Sequence, residues 1–146
     1  MNISTDNSKR TGGTLQHHNA KGRVLVSGTQ NDTRFMMKVL LEMWGYEVAE
    51  AIGISDTVER AESFAPDFVL VDTSRLFDQD IEVVSSLRGS KLRASVPVFV
   101  MSGFPQAAYL RSAMEHGATG LLVKPLDLEV LEGHLESALP ARLAKN

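Results

Sequence analysis

The sequence predicts an α/β fold: a doubly wound sheet of five parallel strands, (βα)5, with helices on both faces. Three observations predict it. Five short apolar runs of strand length recur along the chain, each followed by a segment whose apolar residues return at helical spacing. Runs such as Phe68-Val69-Leu70-Val71 are apolar throughout instead of alternating, as in strands covered on both faces. Strict alternation of strand and helix places a helix in each crossover and makes the strands parallel. The strand order expected for such a sheet is 2-1-3-4-5.

Composition bounds the reading. A chain of 146 residues is one domain, large enough for a real core. It is 43% hydrophobic and 23% charged with a net charge of −3, and its Lys and Arg residues are scattered. No basic stripe is present, so a nucleic-acid partner is not expected. No apolar run approaches the roughly 18 residues of a membrane span. The N-terminus lacks the apolar core of a signal peptide, so a cytoplasmic protein without membrane contact is expected. The absence of cysteine excludes disulfides, thiolate metal sites and thiol catalysis.

Residues 1–21 are polar and rich in Gly, Ser, Thr and Asn, which reads as a flexible tail. The pair His17-His18 lies there with no further ligand nearby and reads as solvated. The folded domain is expected over 22–140. Val24-Leu25-Val26 is the first strand, and Ser27 to Asp32 is a polar loop. Asp32 or Thr33 is placed to cap a helix whose apolar face carries Phe35, Met36, Val39, Leu40 and Met43, with Gly45 ending it. Tyr46 to Ala51 is the second strand. Ser55 is placed to cap a helix through Phe64, with Val58, Ala61 and Phe64 inward, and Pro66 closes it.

The third strand, Phe68 to Val71, stops on the carboxylate Asp72. A loop follows over 73–79, then a helix from Asp80 to Arg88 with Ile81, Val84 and Leu87 on one side. Val96 to Met101 is the fourth strand, with Pro97 tolerable at its beginning. Ser102-Gly103 ends it, and a helix runs from Pro105 to His116 with Gly117 after it. Gly120 to Val123 is the fifth strand, ending on Lys124-Pro125. Asp127 caps a last helix carrying Leu128, Leu131, Leu135 and Leu139. Pro140 stops it, and 141–146 form a short basic tail.

In open α/β sheets ligands gather outside the carboxyl ends of the strands. Asp72, Ser102 and Lys124 all stand at such ends. A carboxylate can accept a phosphoryl group, an ammonium can neutralise an oxyanion, and a hydroxyl can donate to one. Taken singly each residue reads as a rim ion pair or a capping serine; the ordered trio points to chemistry. No His stands at a strand exit: His17 and His18 are in the tail, and His116 and His134 are on helices. A conventional enzyme is therefore not expected, at most self-phosphorylation from a donor and weak self-dephosphorylation.

Over residues 22–139 the chain resembles a response-regulator receiver domain, the phosphoacceptor half of two-component signalling. The resemblance rests on Arg23-Val24-Leu25-Val26, Gly45-Tyr46-Glu47-Val48, Pro66 to Asp72, Val96 to Ser102, and Gly117-Ala118 running to Val123-Lys124-Pro125. It implies Asp72 as phosphoacceptor, Ser102 as the hydroxyl that follows the phosphoryl group, Lys124 as its counter-ion, and a cis Lys124–Pro125 peptide. It also implies a sensor histidine kinase or phosphotransfer protein upstream. A downstream protein would be met through the face formed by the fourth and fifth helices and the fifth strand.

The chain departs from that family in three places. An acidic pair that binds Mg²⁺ follows the family's first strand; here Gly28 and Thr29 stand there, leaving Asp72 as the one carboxylate ligand. Asp32 lies too far into the helix and reads as its N-cap. The family's pocket, three carboxylates and a lysine, carries about −2, whereas one carboxylate and one lysine sum to about zero. After Asp72 the family's Met-Pro and Gly are replaced by Arg75-Leu76 and Asp80, and Leu121 replaces an aromatic on the fifth strand. The expectation is a stand-alone receiver in a phosphorelay, with phosphoacceptor Asp72, an impaired Mg²⁺ site and output by protein contact. The alternatives are a phosphorylation-independent interaction module, in which Asp72 simply pairs with Lys124, and mononucleotide or FMN-phosphate binding at loop 27–33, as in flavodoxin-like proteins.

Overall fold

The buried apolar runs do become strands, and the sheet has the expected order. In the computed structural model, which describes residues 20–139, five parallel strands lie in the order β2-β1-β3-β4-β5. They are β1 (Arg23–Ser27), β2 (Glu47–Ala51), β3 (Phe68–Asp72), β4 (Val98–Ser102) and β5 (Gly120–Val123). The helices are α1 (Asn31–Met43), α2 (Gly53–Phe64), α3 (Phe77–Asp80), α4 (Glu82–Arg88), α5 (Ala107–Glu115) and α6 (Leu128–Ala138). Residues 1–19, with His17 and His18, and residues 140–146, with the Pro140 stop, lie outside the described residues. The Lys124–Pro125 peptide is cis.

Two cores result, one on each face of the sheet, because successive strand residues point to opposite sides. Leu25, Val69, Val71, Val98 and Val100 meet Ala61, Phe77, Ile81, Val84, Leu87 and Ala113 from α2 to α5. Val24, Val26, Phe68, Leu70, Phe99 and Met101 meet Met37 and Leu41 of α1 and Leu131 and Leu135 of α6. Phe68 and Phe99 stack at 5.3 Å between centroids across adjacent strands. His134 of α6 lies on the Phe99 ring at 4.5 Å, a packing role far from any strand exit.

Four details differ from the sequence expectations. The first helix buries Arg34, Met37 and Leu41, and Leu40 is half-buried. Phe35, Met36, Val39 and Met43 are exposed instead. The sequence of α1 carries two stripes at helical spacing, and Arg34 belongs to the buried one because both terminal nitrogens of its guanidinium are hydrogen-bonded within the fold. It donates to the Gly28 carbonyl at 2.7 Å and to Asn31 Oδ1 at 2.6 Å, and its Nε lies 3.4 Å from Glu50. Second, neither Asp32 nor Thr33 caps α1; Gln30 does, without a side-chain bond, and Asp32 is exposed.

Third, Ile52 and not Ser55 precedes α2, and the Asp56 carboxylate accepts the Ile52 N–H at 2.9 Å. Inside that helix Thr57 is buried with Ala61, while Val58 and Phe64 are half-buried. Fourth, the Asp80–Arg88 helix is two helices meeting at Ile81, and it begins earlier, at Phe77. Asp80 ends the first of them because its carboxylate turns back to the loop, accepting from Ser74 N at 2.7 Å and Ser74 Oγ at 2.8 Å. The cap expected of Asp127 is present: its Oδ1 accepts from Glu129 N at 3.0 Å and Val130 N at 3.3 Å.

Candidate functional site

Strand β3 has apolar side chains on both faces, so it sits between β1 and β4 and carries its last residue to the edge of the core. That residue, Asp72, is 4% exposed. On the far side of β4, β5 ends at Val123, and Lys124 reaches back across the strand ends. Its Nζ is 2.5 Å from Asp72 Oδ1 and donates to the Thr73 carbonyl at 3.0 Å. Its backbone N–H donates to the Ser102 carbonyl at 2.7 Å, which anchors the turn. Asp72 and Lys124, singled out at separate strand exits, are thus brought together as an ion pair.

Ser102 is fully buried one residue past Met101, the sheet partner of Asp72. Its hydroxyl accepts the Phe104 N–H at 3.0 Å, so it closes the β4–α5 turn. Phe104 in turn stacks on Tyr109, and Tyr109 meets Phe77 edge-on. Leu121, where the family has an aromatic, is half-buried against the core.

Gly28 explains the local geometry around Asp72. A Cβ added to it would lie 2.8 Å from Asp72 Cβ and 3.5 Å from Asp72 Oδ2. The β1 end therefore packs directly on the carboxylate, and only a residue without a side chain permits it. Arg34 holds the Gly28 carbonyl from the other side. Ser27 Oγ and Thr57 Oγ1 share a hydrogen bond at 2.6 Å. The Ser27 hydroxyl and Asn31 amide oxygen of loop 27–33 are therefore both engaged within the fold. Thr29 and Arg75 are exposed.

Burial dominates the electrostatics of the pair. The Asp72 carboxyl is raised above the ordinary aspartate range chiefly by desolvation. Contact with Lys124 opposes the rise, and the Asp80 carboxylate adds to it. A raised folded pKa means the folded chain binds a proton more readily than the unfolded one. Stability then falls as pH rises from the ordinary aspartate pKa through the folded value, and the full penalty is present above it. Asp72→Asn is accordingly expected to raise the melting temperature at neutral pH, where the folded chain carries the buried carboxylate. The rise is expected to shrink as pH falls through the titration of the carboxyl. A drop in melting temperature at pH 7 would refute it.

Two groups escaped the sequence reading. Arg34 was hidden inside a helix and bears on the site only through the Gly28 carbonyl. Asp80 was noted as a departure after Asp72, but its role in tying Ser74 and biasing the Asp72 carboxyl needed the folded loop. A divalent cation such as Mg²⁺ takes about six oxygen ligands in near-octahedral array. The side chains present do not match that demand. Asp72 faces an ammonium, the Asp80 carboxylate is bound to Ser74, and Gly28 has no side chain. Among the described residues no group of three or more Asp, Glu or His could hold a metal ion.

Comparison with known proteins gives a consistent result. The family described as "Response regulator receiver domain" matches residues 24–136. The transcriptional regulatory protein ZraR of Salmonella typhimurium is 30% identical over 104 residues, covering 71% of this chain and 23% of ZraR. PdtaR, a transcriptional regulatory protein of Mycobacterium tuberculosis, is 30% identical over 118 residues, covering 80% of this chain and 56% of PdtaR. The chain thus spans from under a quarter to about half of these curated relatives. Among solved structures, the chemotaxis protein CheY4 of Vibrio cholerae superimposes with a TM-score of 0.72 at 25% identity, covering 80% of this chain and 98% of CheY4. A two-component response regulator from Clostridium difficile shares the fold, with a TM-score of 0.70 at 21% identity over 81% of this chain and 95% of that one.

Proposed function

The chain belongs to the response regulator receiver family, and on that premise we propose that it is a phosphorelay signalling domain in which Asp72 is the phosphoacceptor, Mg²⁺ binding is impaired, and output is a protein–protein contact. Receiver domains are signalling modules that meet histidine kinases or phosphotransfer proteins on one side and downstream effectors on the other. In this chain the carboxylate oxygen of Asp72 takes the phosphoryl group from such a donor. Lys124 leaves the carboxylate to balance the phosphoryl charge, and the Ser102 hydroxyl turns from the Phe104 amide toward it. The downstream partner is met through α5, β5 and α6. The domain acts in the cytoplasm; among the described residues no helix is long and apolar enough to cross a membrane.

The observation that carries the impaired metal site is the contact of Gly28 with Asp72. It leaves a side chain at position 28 no room beside Asp72 unless a strand end shifts. With no acidic pair, the charge that a metal would neutralise is already balanced by Lys124. The test is labelling of the full chain with acetyl phosphate or beryllofluoride, followed by mass spectrometry. Slow modification confined to Asp72 and indifferent to EDTA is expected. Fast modification that requires Mg²⁺ would overturn the impaired site, and modification elsewhere would overturn Asp72 as acceptor.

A second reading has its own support in the Asp72–Lys124 contact, which holds Lys124 against the carboxylate without any phosphoryl group. In that reading the domain is a phosphorylation-independent interaction module. Asp72→Asn separates the two, abolishing partner engagement in the first and leaving it intact in the second.

A further inference from the structure

Glycine is the residue least able to hold a backbone position by itself, because no side chain limits its dihedrals. Gly28 nevertheless forms the wall beside the phosphoacceptor: an added Cβ would lie 2.8 Å from Asp72 Cβ and 3.5 Å from its Oδ2. Hydrogen bonds on both sides of the residue keep it there. Its N–H donates to the Ala51 carbonyl of β2 at 3.1 Å, and its carbonyl accepts from Arg34 Nη1 at 2.7 Å. The other terminal nitrogen of that guanidinium donates to Asn31 Oδ1 at 2.6 Å, and Nε stands 3.4 Å from Glu50 Oε1. Arg34 is 7% exposed. Burying a cation is costly unless it is well paired, and here Nε makes no hydrogen bond. An apolar side chain would fill the same space without that cost, so packing alone does not account for an arginine here. What an arginine adds is a planar fork that holds two oxygens in a fixed geometry.

We propose that Arg34 is a positioning residue for phosphoryl transfer to Asp72, acting through Gly28. This role presupposes Asp72 as the phosphoacceptor. In that step an Asp72 oxygen forms a bond to phosphorus, the bond from phosphorus to the donor breaks, and the donor's leaving atom takes the electron pair. The attacking carboxylate must keep its orientation while the donor approaches. Its two oxygens have separate restraints: Lys124 holds Oδ1, and the Gly28 backbone closes the side of Oδ2. The second restraint is only as firm as the bonds that fix Gly28. Arg34 supplies the one on the side leading into α1, and its fork ties Gly28 to Asn31, the first residue of that helix. The turn from β1 into α1 is thereby braced across its width. The charges that act on the Asp72 carboxyl are those of Lys124 and Asp80, so Arg34 works by geometry and not by its own field.

Two measurements on the full chain test this: the rate of Asp72 labelling by acetyl phosphate, and the NMR order parameter of the Gly28 amide. Arg34→Met is expected to slow labelling about tenfold or more. The Gly28 order parameter is expected to fall from about 0.85 toward 0.6 in the same variant. Asn31→Ala removes one of the two oxygens that the fork spans, at an exposed position that leaves the fold intact. It is expected to change both readouts in the same direction, with labelling about threefold slower. Met37→Ala is the control, since Met37 is buried on the same helix without a bond to Gly28. It is expected to lower the melting temperature and leave both readouts at the parent's values. A labelled parent whose Arg34→Met variant keeps a rigid Gly28, or labels at the parent's rate, overturns the role of Arg34 alone. So does a Met37→Ala protein slowed as much as Arg34→Met. Should Arg34→Met fail to fold, unchanged readouts in Asn31→Ala overturn it. A parent that takes no label at Asp72 overturns the phosphoacceptor reading and, with it, the role built on that reading.

Discussion

Gly28→Asp, which would put back an acidic side chain at the family's metal position, is expected to destabilise this protein by about 3–5 kcal/mol. Its Cβ would lie 2.8 Å from Asp72 Cβ, closer than side chains approach, so the end of β1 or of β3 must move. Overpacking of that kind costs about 1–3 kcal/mol. The added carboxylate would then sit beside a carboxylate already raised by burial, with the Lys124 ammonium committed to Asp72. A second buried charge without a partner adds a penalty of several kcal/mol. Gly28→Ala isolates the steric part and is expected to cost about 1–3 kcal/mol. Thr29→Asp, at an exposed position, is expected to stay within about 0.5 kcal/mol. Urea denaturation gives these values, and the same samples report Mg²⁺ affinity by titration. A Gly28→Asp protein as stable as its parent and binding Mg²⁺ tightly would show that the pocket is open and that the glycine merely removes a ligand.

Phe68→Ala is expected to cost about 3–5 kcal/mol, the range for deleting a fully buried aromatic. Phe68 has no exposed surface and stacks in parallel on Phe99 of the neighbouring strand, with ring planes 2° apart. Phe99 is held from its other surroundings by the His134 ring and by Gly120, whose added Cβ would lie 2.9 Å from the Phe99 ring. The ring therefore cannot follow a shrinking neighbour, and the cavity stays. The midpoint of urea denaturation should fall with little change in slope, because the surface exposed on unfolding is nearly the same. A loss below about 1.5 kcal/mol would mean that α1 and α6 close on the gap.

The sheet was legible because a parallel strand buried on both faces writes its whole inner length in apolar residues. Phe68 to Val71 and Val98 to Met101 could not be mistaken, and the residues following them were therefore correctly placed at strand exits. Helix starts were less legible. Gln30 and Ile52 precede α1 and α2 without using a side chain, so the hydroxyl and carboxylate signals at Asp32, Thr33 and Ser55 pointed two to three residues too late. At α6, where a side chain does the capping, Asp127 was read correctly. The buried face of α1 was misread for a different reason. Apolar spacing identifies a stripe but does not say which of two stripes meets the sheet, and Arg34 entered the buried one through bonds to Gly28, Asn31 and Glu50.

By itself the sequence determined the fold class, the strand order expected of it, the family, and the placing of Asp72, Ser102 and Lys124 at strand ends. Each of these follows from local pattern and chain order. Only the tertiary structure decided that Lys124 lies against Asp72, that Ser102 is bonded back to Phe104, and that Gly28 presses on the carboxylate. It also decided that Phe35, Met36, Val39 and Met43 face solvent. These depend on distances between residues far apart in the chain, and those distances are set only when two cores pack on one twisted sheet.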